Sequence, residues 1–227
     1  MPKLLFDETG KRFWETGVSK GVLFPMSAVA GVYGPGVPWN GLINVTQSPK
    51  GAEASALYAD NIKYLNLMSV EELEASIEAY TYPDEFAECD GSVDIGGAAS
   101  GVKIGQQARK MFALAYQSKI GNDQNPDLGY KIHILYGCLA GPSEKSHDSV
   151  NDNPEAMTFS WDVTTTPVDI VGFKPTASIE IDSTKFVGAG PLAKLLEIET
   201  ALYGGSEVGE DSELLMPQDI IDILEAV

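Results

Sequence analysis

Residues 72–79 constrain the fold more than any other stretch, because apolar and polar residues alternate there one by one. The apolar residues are Leu73, Ala75, Ile77 and Ala79, and the polar residues are Glu72, Glu74, Ser76 and Glu78. A strand sends successive side chains to opposite faces, whereas on a helix this apolar set would wrap around the axis. Although Glu, Leu and Ala are good helix formers, the alternation predicts a strand with one buried face and one acidic face.

A short helix is predicted directly after this strand, beginning at Pro83. Proline suits the first turn of a helix, and Asp84 and Glu85 complement the positive end of the helix dipole. Gly91 is a suitable C-terminal stop. The strand and the helix together form the unit around which the remaining elements are placed.

Other segments with strand-type residues, bounded by Gly, Pro or Asn, complete the fold. They are residues 21–26, 39–47, 62–68, 109–119, 130–138, 157–166 and 178–182, with loops expected at 48–55 and 91–105. From Pro191 onward the apolar spacing is helical, and a second helix follows Pro217. The sequence therefore predicts a mainly β fold, a mostly antiparallel sandwich or distorted barrel, with one short internal helix and a helical C-terminal extension.

Three regions are expected along the chain: an N-terminal arm at residues 1–20, a β domain at 21–186 and the C-terminal extension at 187–227. Phe13 and Trp14 lie in the arm. Aromatic side chains of this size usually bury their rings, so we expect the pair to dock on this domain or on a neighbouring molecule.

The charge balance excludes one class of function. The chain has 33 acidic and 15 basic residues, a formal charge of −18. A surface that grips nucleic acid needs clustered Lys and Arg, which this sequence does not offer. No apolar run approaches the length of a membrane span, and Met1 to Phe6 do not resemble a secretion signal. Cys89 and Cys138 lie in apolar surroundings, which predicts buried, reduced thiols; a disulfide or a metal pair is the alternative.

Motifs of catalysis and metal binding do not fit the sequence. Residues 123–129 have calcium-ligand types, but the glycine and glutamate of an EF-hand loop are out of place. His133 and His147 have no nucleophile elbow or metal-ligand spacing around them. The carboxylates of residues 72–78 could form a glycosidase pair, but a carboxylate row on one strand face is usually solvated. We therefore expect no enzyme, no catalytic residue, no cofactor and no metal.

Several short segments, taken in their order, resemble the major tail tube proteins of long, non-contractile-tailed bacteriophages. The similarity covers roughly residues 15–185. Its segments are the unit Glu71 to Gly91, Tyr58 to Tyr64, Gly105 to Gln107, Ile120 to Asp123, Gly129 to Lys131, Pro142 to Lys145 and Phe159 to Trp161. No segment is diagnostic alone, and the helical C-terminal extension departs from the family's minimal fold.

The resemblance implies a fold of two packed, roughly orthogonal β-sheets with a flanking helix. It further implies a structural protein of the virion tail, assembled in the host cytoplasm from six-membered rings that stack into a tube. The implied partners are other copies of the chain, a tape-measure protein, and tail terminator and tail-tip proteins. DNA would pass through the tube without specific binding, and no membrane is involved.

The resemblance also assigns surfaces. Residues 1–20, 47–60 and 187–227 correspond to segments that bridge subunits or rings, and how residues 187–227 dock is left open. The expected contact residues are Phe13, Trp14, Ser48, Pro49, Lys50 and Gly51. Because basic groups in a pore would hold DNA phosphates, the acidic residues expected to face the lumen are Glu72, Glu74 and Glu78. Their placement on the exterior or at an interface is the alternative.

The competing class is a β-sandwich binding or decoration module of a virion, for example one that binds carbohydrate. Such a module would be a stable monomer with an exposed aromatic platform. The tryptophans available for a platform are Trp14, Trp39 and Trp161, and the last alternates like a core residue. Self-assembly separates the two classes.

Overall fold

The computed structural model describes residues 4–29, 31–96, 101–147, 149, 156–205 and 211–226. This part of the chain is mainly antiparallel β-structure. The strands are β1 (Phe13–Pro25), β2 (Val37–Trp39), β3 (Leu42–Gly51), β4 (Ala54–Ala59), β5 (Ile62–Met68), β6 (Glu71–Ala79), β7 (Val93–Asp94), β8 (Lys103–Ile104), β9 (Phe112–Asn122), β10 (Gly129–Ala140), β11 (Phe159–Thr165) and β12 (Ser178–Asp182). Two 3-10 helices, Asp84–Glu88 and Ser183–Lys185, precede the α-helices α1 (Ala189–Tyr203) and α2 (Pro217–Glu225).

The main sheet follows the order β2-β1-β9-β10-β11-β6-β3, with β12 added beside β10. Its two halves meet at a short β10–β11 pairing that runs from Cys138–Thr165 to Ala140–Val163. Side chains from both halves and from the first 3-10 helix share one apolar core, which we call the front core: Leu23, Trp39, Ala75, Ile77, Ala79, Phe86, Cys89, Phe112, Leu114, Tyr116, Leu135, Cys138, Ala140, Trp161 and Val163. The sandwich is thus two halves of one continuous sheet folded onto each other.

The strand over residues 72–79 is confirmed as β6, whose Ala75, Ile77 and Ala79 are buried in the front core. The β9–β10 hairpin and strands β5, β11 and β12 are also confirmed. The short helix is a 3-10 helix that directs Phe86 into the core. Strands β6 and β11 were predictable because their apolar period matches the face that they bury.

Two predicted strand boundaries are wrong. The strand expected at 39–47 is interrupted: β2 ends at Trp39 and β3 begins at Leu42. Gly41 between them has a φ of 80°, a conformation that glycine adopts without strain. The structure also starts β1 at Phe13, since pairing with β9 extends to Asn122, so residues 13–20 of the expected arm are part of the sheet.

The loop predicted at residues 48–55 is wrong as well. Strand β3 continues to Gly51, which pairs with Glu71 of β6, and β4 begins at Ala54. The backbone hydrogen bonds between strands do not depend on alternating apolar side chains, so the lack of such alternation in residues 48–55 does not exclude a strand. Pro49 is tolerated because β3 ends the strand order, where a missing N–H can face the open edge. Similarly, the loop expected at 91–105 contains β7 and β8, and its residues 97–100 lie outside the described residues.

The C-terminal helices pack on the other side of the β1–β9–β10 half, a placement that the sequence left open. They form a back core with apolar residues of these strands and of β12: Val22, Phe24, Ala113, Ala115, Ile132, Ile134, Tyr136, Ile181, Leu195, Ile198, Leu202, Leu214 and Ile220. The Tyr136 hydroxyl also donates to the Leu215 carbonyl at 2.9 Å. The central strands are therefore buried on both faces, and the domain has three layers.

We expect Leu195→Ala to destabilise the chain by about 2–5 kcal/mol, because it removes a buried side chain from the back core. Leu196→Ala is the matched control on the same helix: Leu195 is 4% exposed and Leu196 is 63% exposed. The control should change stability by no more than about 0.5 kcal/mol. Urea denaturation measures both, and equal effects would contradict a packed helix α1.

Cys89 and Cys138 are free and buried, as predicted. Burial, with a smaller contribution from the Glu88 charge, raises the pKa of Cys89 to about 12. Burial likewise raises the pKa of Cys138. Both side chains therefore remain thiols at neutral pH and act as apolar packing groups.

Candidate assembly surfaces

Strand β6 presents the predicted carboxylates on the side opposite the front core. Glu72 is exposed, and Glu74 and Glu78 are half-buried, while the alternating residues Ala75 and Ile77 are buried. The prediction that these glutamates share one strand face is confirmed.

Neighbouring strands extend this surface with small polar side chains. The β6 carboxylates lie directly opposite Asn44, Ser48 and Lys50 of β3. On their other side they lie opposite Ser160 and Thr164 of β11. Between them, Thr46 and Asp162 lie opposite Ser76. We call this surface, from β3 through β6 to β11, the acidic face. No helix of the described residues packs on it.

The acidic face has a negative balance. Among the outward side chains of β3, β6 and β11, four carboxylates (Glu72, Glu74, Glu78 and Asp162) stand against the ammonium of Lys50. Lys50 forms an ion pair with Glu74, and both side chains remain partly exposed. An exposed pair of this kind contributes little stability. The pair connects Glu74, which is expected to face the lumen, with Lys50, which is expected to contact a neighbouring subunit, so both residues lie on one surface.

The β4–β5 hairpin continues the β3–β6 ribbon beyond the main sheet. The backbone bonds Ala52 N–H to Val70 O and Ser69 N–H to Glu53 O connect the two parts. The tip is a two-residue turn at Asp60 and Asn61, whose φ values of 50° and 63° suit the tight turn of a hairpin. The sequence predicts a loop at the start of this hairpin, although the Asp-Asn pair is a usable turn signal.

One face of this hairpin carries three leucines, and the other carries Tyr64 and Met68, which are also exposed. Leu57 lies opposite Leu65, and Leu67 follows two residues later on the same side. Their exposed fractions are 42%, 39% and 55%. A two-stranded hairpin is marginally stable by itself, and a contiguous exposed apolar surface on a soluble domain indicates an interaction site. We call this surface the hairpin face.

Phe13 and Trp14, the other expected contact residues, lie at the start of β1 and are exposed. Trp14 pairs with Gly121 of β9, where a Cβ atom would overlap the indole ring. Both aromatics line an open groove of about 770 Å³ that also borders Lys131 and Lys185. The structure thus places this pair on β1 and the Ser48–Gly51 segment on β3, two different strands of the sheet.

A polar cluster that the sequence analysis did not predict lies beside the front core. Lys131 forms ion pairs with Glu15 at 2.8 Å and Glu180 at 2.9 Å. The Ser118 hydroxyl donates to Glu15 at 2.6 Å and lies 2.8 Å from His133 Nε2. A hydroxyl has one proton, so Nε2 donates to Ser118. This is the reverse of the arrangement that activates a serine nucleophile.

His133 itself is buried and stacks on Tyr116 at 4.8 Å between ring centroids. Burial lowers the pKa of His133, against the opposing effect of Glu180 and Glu15. Burial raises the pKa of Glu15, but the hydrogen bonds from Lys131 and Ser118 outweigh it and the pKa is lowered. The cluster ties β1 and β12 to the β9–β10 hairpin.

We expect the free energy of unfolding to fall as the pH falls through about 6.5, the ordinary histidine pKa. The folded pKa of His133 is lowered, so the unfolded state binds more protons in this window and is favoured there. His133→Gln should flatten this dependence, and the exposed His147→Gln is the control. Urea denaturation of the unassembled chain at several pH values gives the slope. An unchanged slope in His133→Gln would contradict the prediction.

Two properties of the described residues bear on other functions. No helix there is long and apolar enough to cross a bilayer. In the same residues, no group of three or more His, Cys, Asp or Glu side chains is arranged to hold a metal ion.

Comparisons with known proteins give likenesses among solved structures. No protein-family model matches the sequence, and no curated protein matches it. Among solved structures, the chain is similar to one in the 6-fold symmetrised baseplate of the anti-feeding prophage, with a TM-score of 0.35 and 8% sequence identity. The match covers 78% of this chain and 97% of that chain. The function proposed below therefore depends on the surfaces of the chain itself.

Proposed function

We propose that this chain is a structural virion protein that assembles into stacked hexameric rings and forms a phage tail tube. In this proposal the acidic face lines the channel through which DNA passes from capsid to host. The partners would be further copies of the chain, a tape-measure protein at the lumen, and terminator and tip proteins at the two ends. The order of sequence segments that resembles tail tube proteins supports this assignment.

The acidic face is the observation that carries the proposal. The domain has two broad outer surfaces: helices α1 and α2 cover the back core, whereas the acidic face is a bare strand surface. A surface of strands that is repeated around a ring can form a continuous channel wall. The helical layer would then lie on the outside of the tube, where it does not obstruct the channel.

The chemistry of the acidic face suits a channel for DNA. Duplex DNA carries about one negative charge per 1.7 Å, and each Lys or Arg in the wall would make a phosphate contact. Carboxylates repel phosphates, and the hydroxyls of this face can offer only neutral hydrogen bonds, without the ionic contacts that hold DNA, so the genome would slide past them. The single ammonium on this face, that of Lys50, is already paired with Glu74.

The charge of the ring must be offset elsewhere. Six copies at −18 each repel one another, so the interfaces between them need apolar contact. The hairpin face and the exposed pair Phe13 and Trp14 offer such contact. The hairpin extends from the same ribbon as the acidic face, which would place its contacts near the channel wall.

Negative-stain electron microscopy of the purified chain at rising concentration, with light scattering in parallel, tests the proposal. We expect rings or striated tubes with a central channel. A monomer that persists at every concentration, including after addition of sheared tube fragments of the same phage tail as seeds, would contradict self-assembly.

The alternative, a carbohydrate-binding or decoration module, has less support. Trp39 and Trp161 are buried in the front core, so they are not available for an aromatic platform. Trp14 is partly exposed but packs over Gly121. Glycan-array binding by a stable monomer would favour this alternative.

A further inference from the structure

The ammonium group of Lys145 lies in an enclosure of aromatic rings and one carboxylate. Its Nζ atom donates to Asp90 Oδ2 at 2.5 Å. The same atom lies 5.4 Å from the ring centroid of Tyr82 and 5.9 Å from that of Phe159. Both distances are within the range of about 6 Å at which a cation is attracted to a ring face.

The walls of this enclosure are held by the core. The Tyr82 ring is nearly perpendicular to Phe159 (86°, centroids 5.2 Å apart) and to Trp161 (89°, 5.4 Å). Phe159 and Trp161 stack at an interplanar angle of 15°. Trp161 Nε1–H donates to Asp90 Oδ1 at 3.1 Å, which orients the carboxylate. The site is therefore preorganised by Trp161, which is fully buried.

The buried carboxylate of Asp90 is the reason why this site requires a cation. The residue is 8% exposed, and a buried carboxylate is costly unless it is both paired and hydrogen-bonded. Trp161 supplies a neutral hydrogen bond, and Lys145 supplies the positive charge. Perpendicular aromatic rings beside a carboxylate form the arrangement in which proteins bind ammonium and methylated ammonium groups.

The Lys145 side chain is 31% exposed, and most residues of the segment that carries it are exposed. Residues 142–147 follow the end of β10 without regular secondary structure. Burial lowers the pKa of Lys145, but the hydrogen bond to Asp90 outweighs it and the pKa is raised, so the group is cationic at neutral pH. Because this separate segment carries it, the Lys145 side chain acts as a ligand of the site and is not one of the residues that form the site.

We propose that Tyr82, Asp90, Phe159 and Trp161 form a binding site for alkylammonium groups, primary or methylated, which Lys145 occupies in the free chain. An external ammonium group then binds when residues 142–147 lift away. The site lies in the front core and not on the acidic face, so the inference does not depend on tube formation.

The test uses the unassembled full chain and the variant Lys145→Ala, titrated with ethylammonium or tetramethylammonium chloride against sodium chloride at equal ionic strength. The readouts are the indole N–H resonance of Trp161 and the melting temperature. We expect a saturable shift of that resonance and a rise in melting temperature in the variant, and the same response only at higher ammonium concentration in the wild type, where Lys145 competes for the site. Adding Asp90→Asn should weaken binding by roughly tenfold or more, because a charged hydrogen bond is lost.

Lys11→Ala is the matched control, because Lys11 forms an exposed ion pair with Glu8 and meets no ring. It should respond to ammonium as the wild type does. If Lys145→Ala does not fold, the wild type decides the matter: ring currents should shift the Lys145 Hε resonances upfield of those of Lys11. A folded variant without a saturable response, or Hε resonances at the position of an exposed lysine, would overturn the proposal.

Discussion

Replacing the hairpin face with polar residues is expected to abolish assembly. In the variant with Leu57→Ser, Leu65→Ser and Leu67→Ser, the three apolar side chains that are exposed in the free chain no longer offer contact area to a neighbour. Assembly has to overcome repulsion between strongly acidic subunits. Complete burial of a fully exposed leucine contributes about 1.5–3 kcal/mol, and these three are already about half-buried in the free chain. Roughly half of that contribution per leucine is lost at every interface of a ring, which should leave monomers.

Light scattering and negative-stain microscopy measure this result at concentrations where the wild type forms tubes. The monomer itself should remain folded, because the hairpin contributes no residue to the front core or the back core. Circular dichroism and urea denaturation check this point. Leu196→Ser on helix α1 is the control, since it also removes an exposed leucine. Tubes of normal appearance in the triple variant would exclude the hairpin face as an interface.

Reversing the charge of the acidic face is expected to make assembled tubes hold DNA. The variant Glu72→Lys, Glu74→Lys and Glu78→Lys presents three ammonium groups per subunit on one strand. If this strand lines the channel, every ring gains a belt of phosphate contacts. Each contact adds about 0.9 to the slope of log K against log salt for duplex DNA, so binding should be strong at low salt and disappear at high salt.

Co-sedimentation of tubes with linear duplex DNA over a salt series measures this binding. The control carries the same change in charge on the helical layer: Glu197→Lys, Asp222→Lys and Glu225→Lys, all exposed in the free chain. DNA on the outside of a tube would be accessible to nuclease, whereas DNA in the channel would be protected. Protected DNA only with the β6 variant supports the lumen assignment. Equal binding by both variants, with DNA accessible to nuclease, would place the acidic face outside the channel.

Elements with a strong apolar period were predictable from the sequence. Strands β6, β11 and β12 and both α-helices bury one regular face each, which appears in the sequence as a period of two or of about 3.6. Strands β9 and β10 are buried on both faces and appear as nearly continuous apolar runs. The glutamates of β6 were assigned to one surface because of the period of two. The polar residues of β3 and β11 that lie opposite β6 could not be assigned to this surface, because the register between two strands is not visible in the sequence of either strand.

What the sequence by itself determined is therefore the class of fold, the acidic row on one strand and the apolar period of the C-terminal helices. Only the tertiary structure decided that Ser48–Gly51 is paired strand, that the helices cover the back of the sheet, and that Lys145 reaches Asp90 across 55 residues of chain. The physical reason is that side-chain periodicity is a local property of the chain, whereas backbone pairing at an edge, the partner of an apolar face and a buried ion pair depend on residues that are distant in sequence.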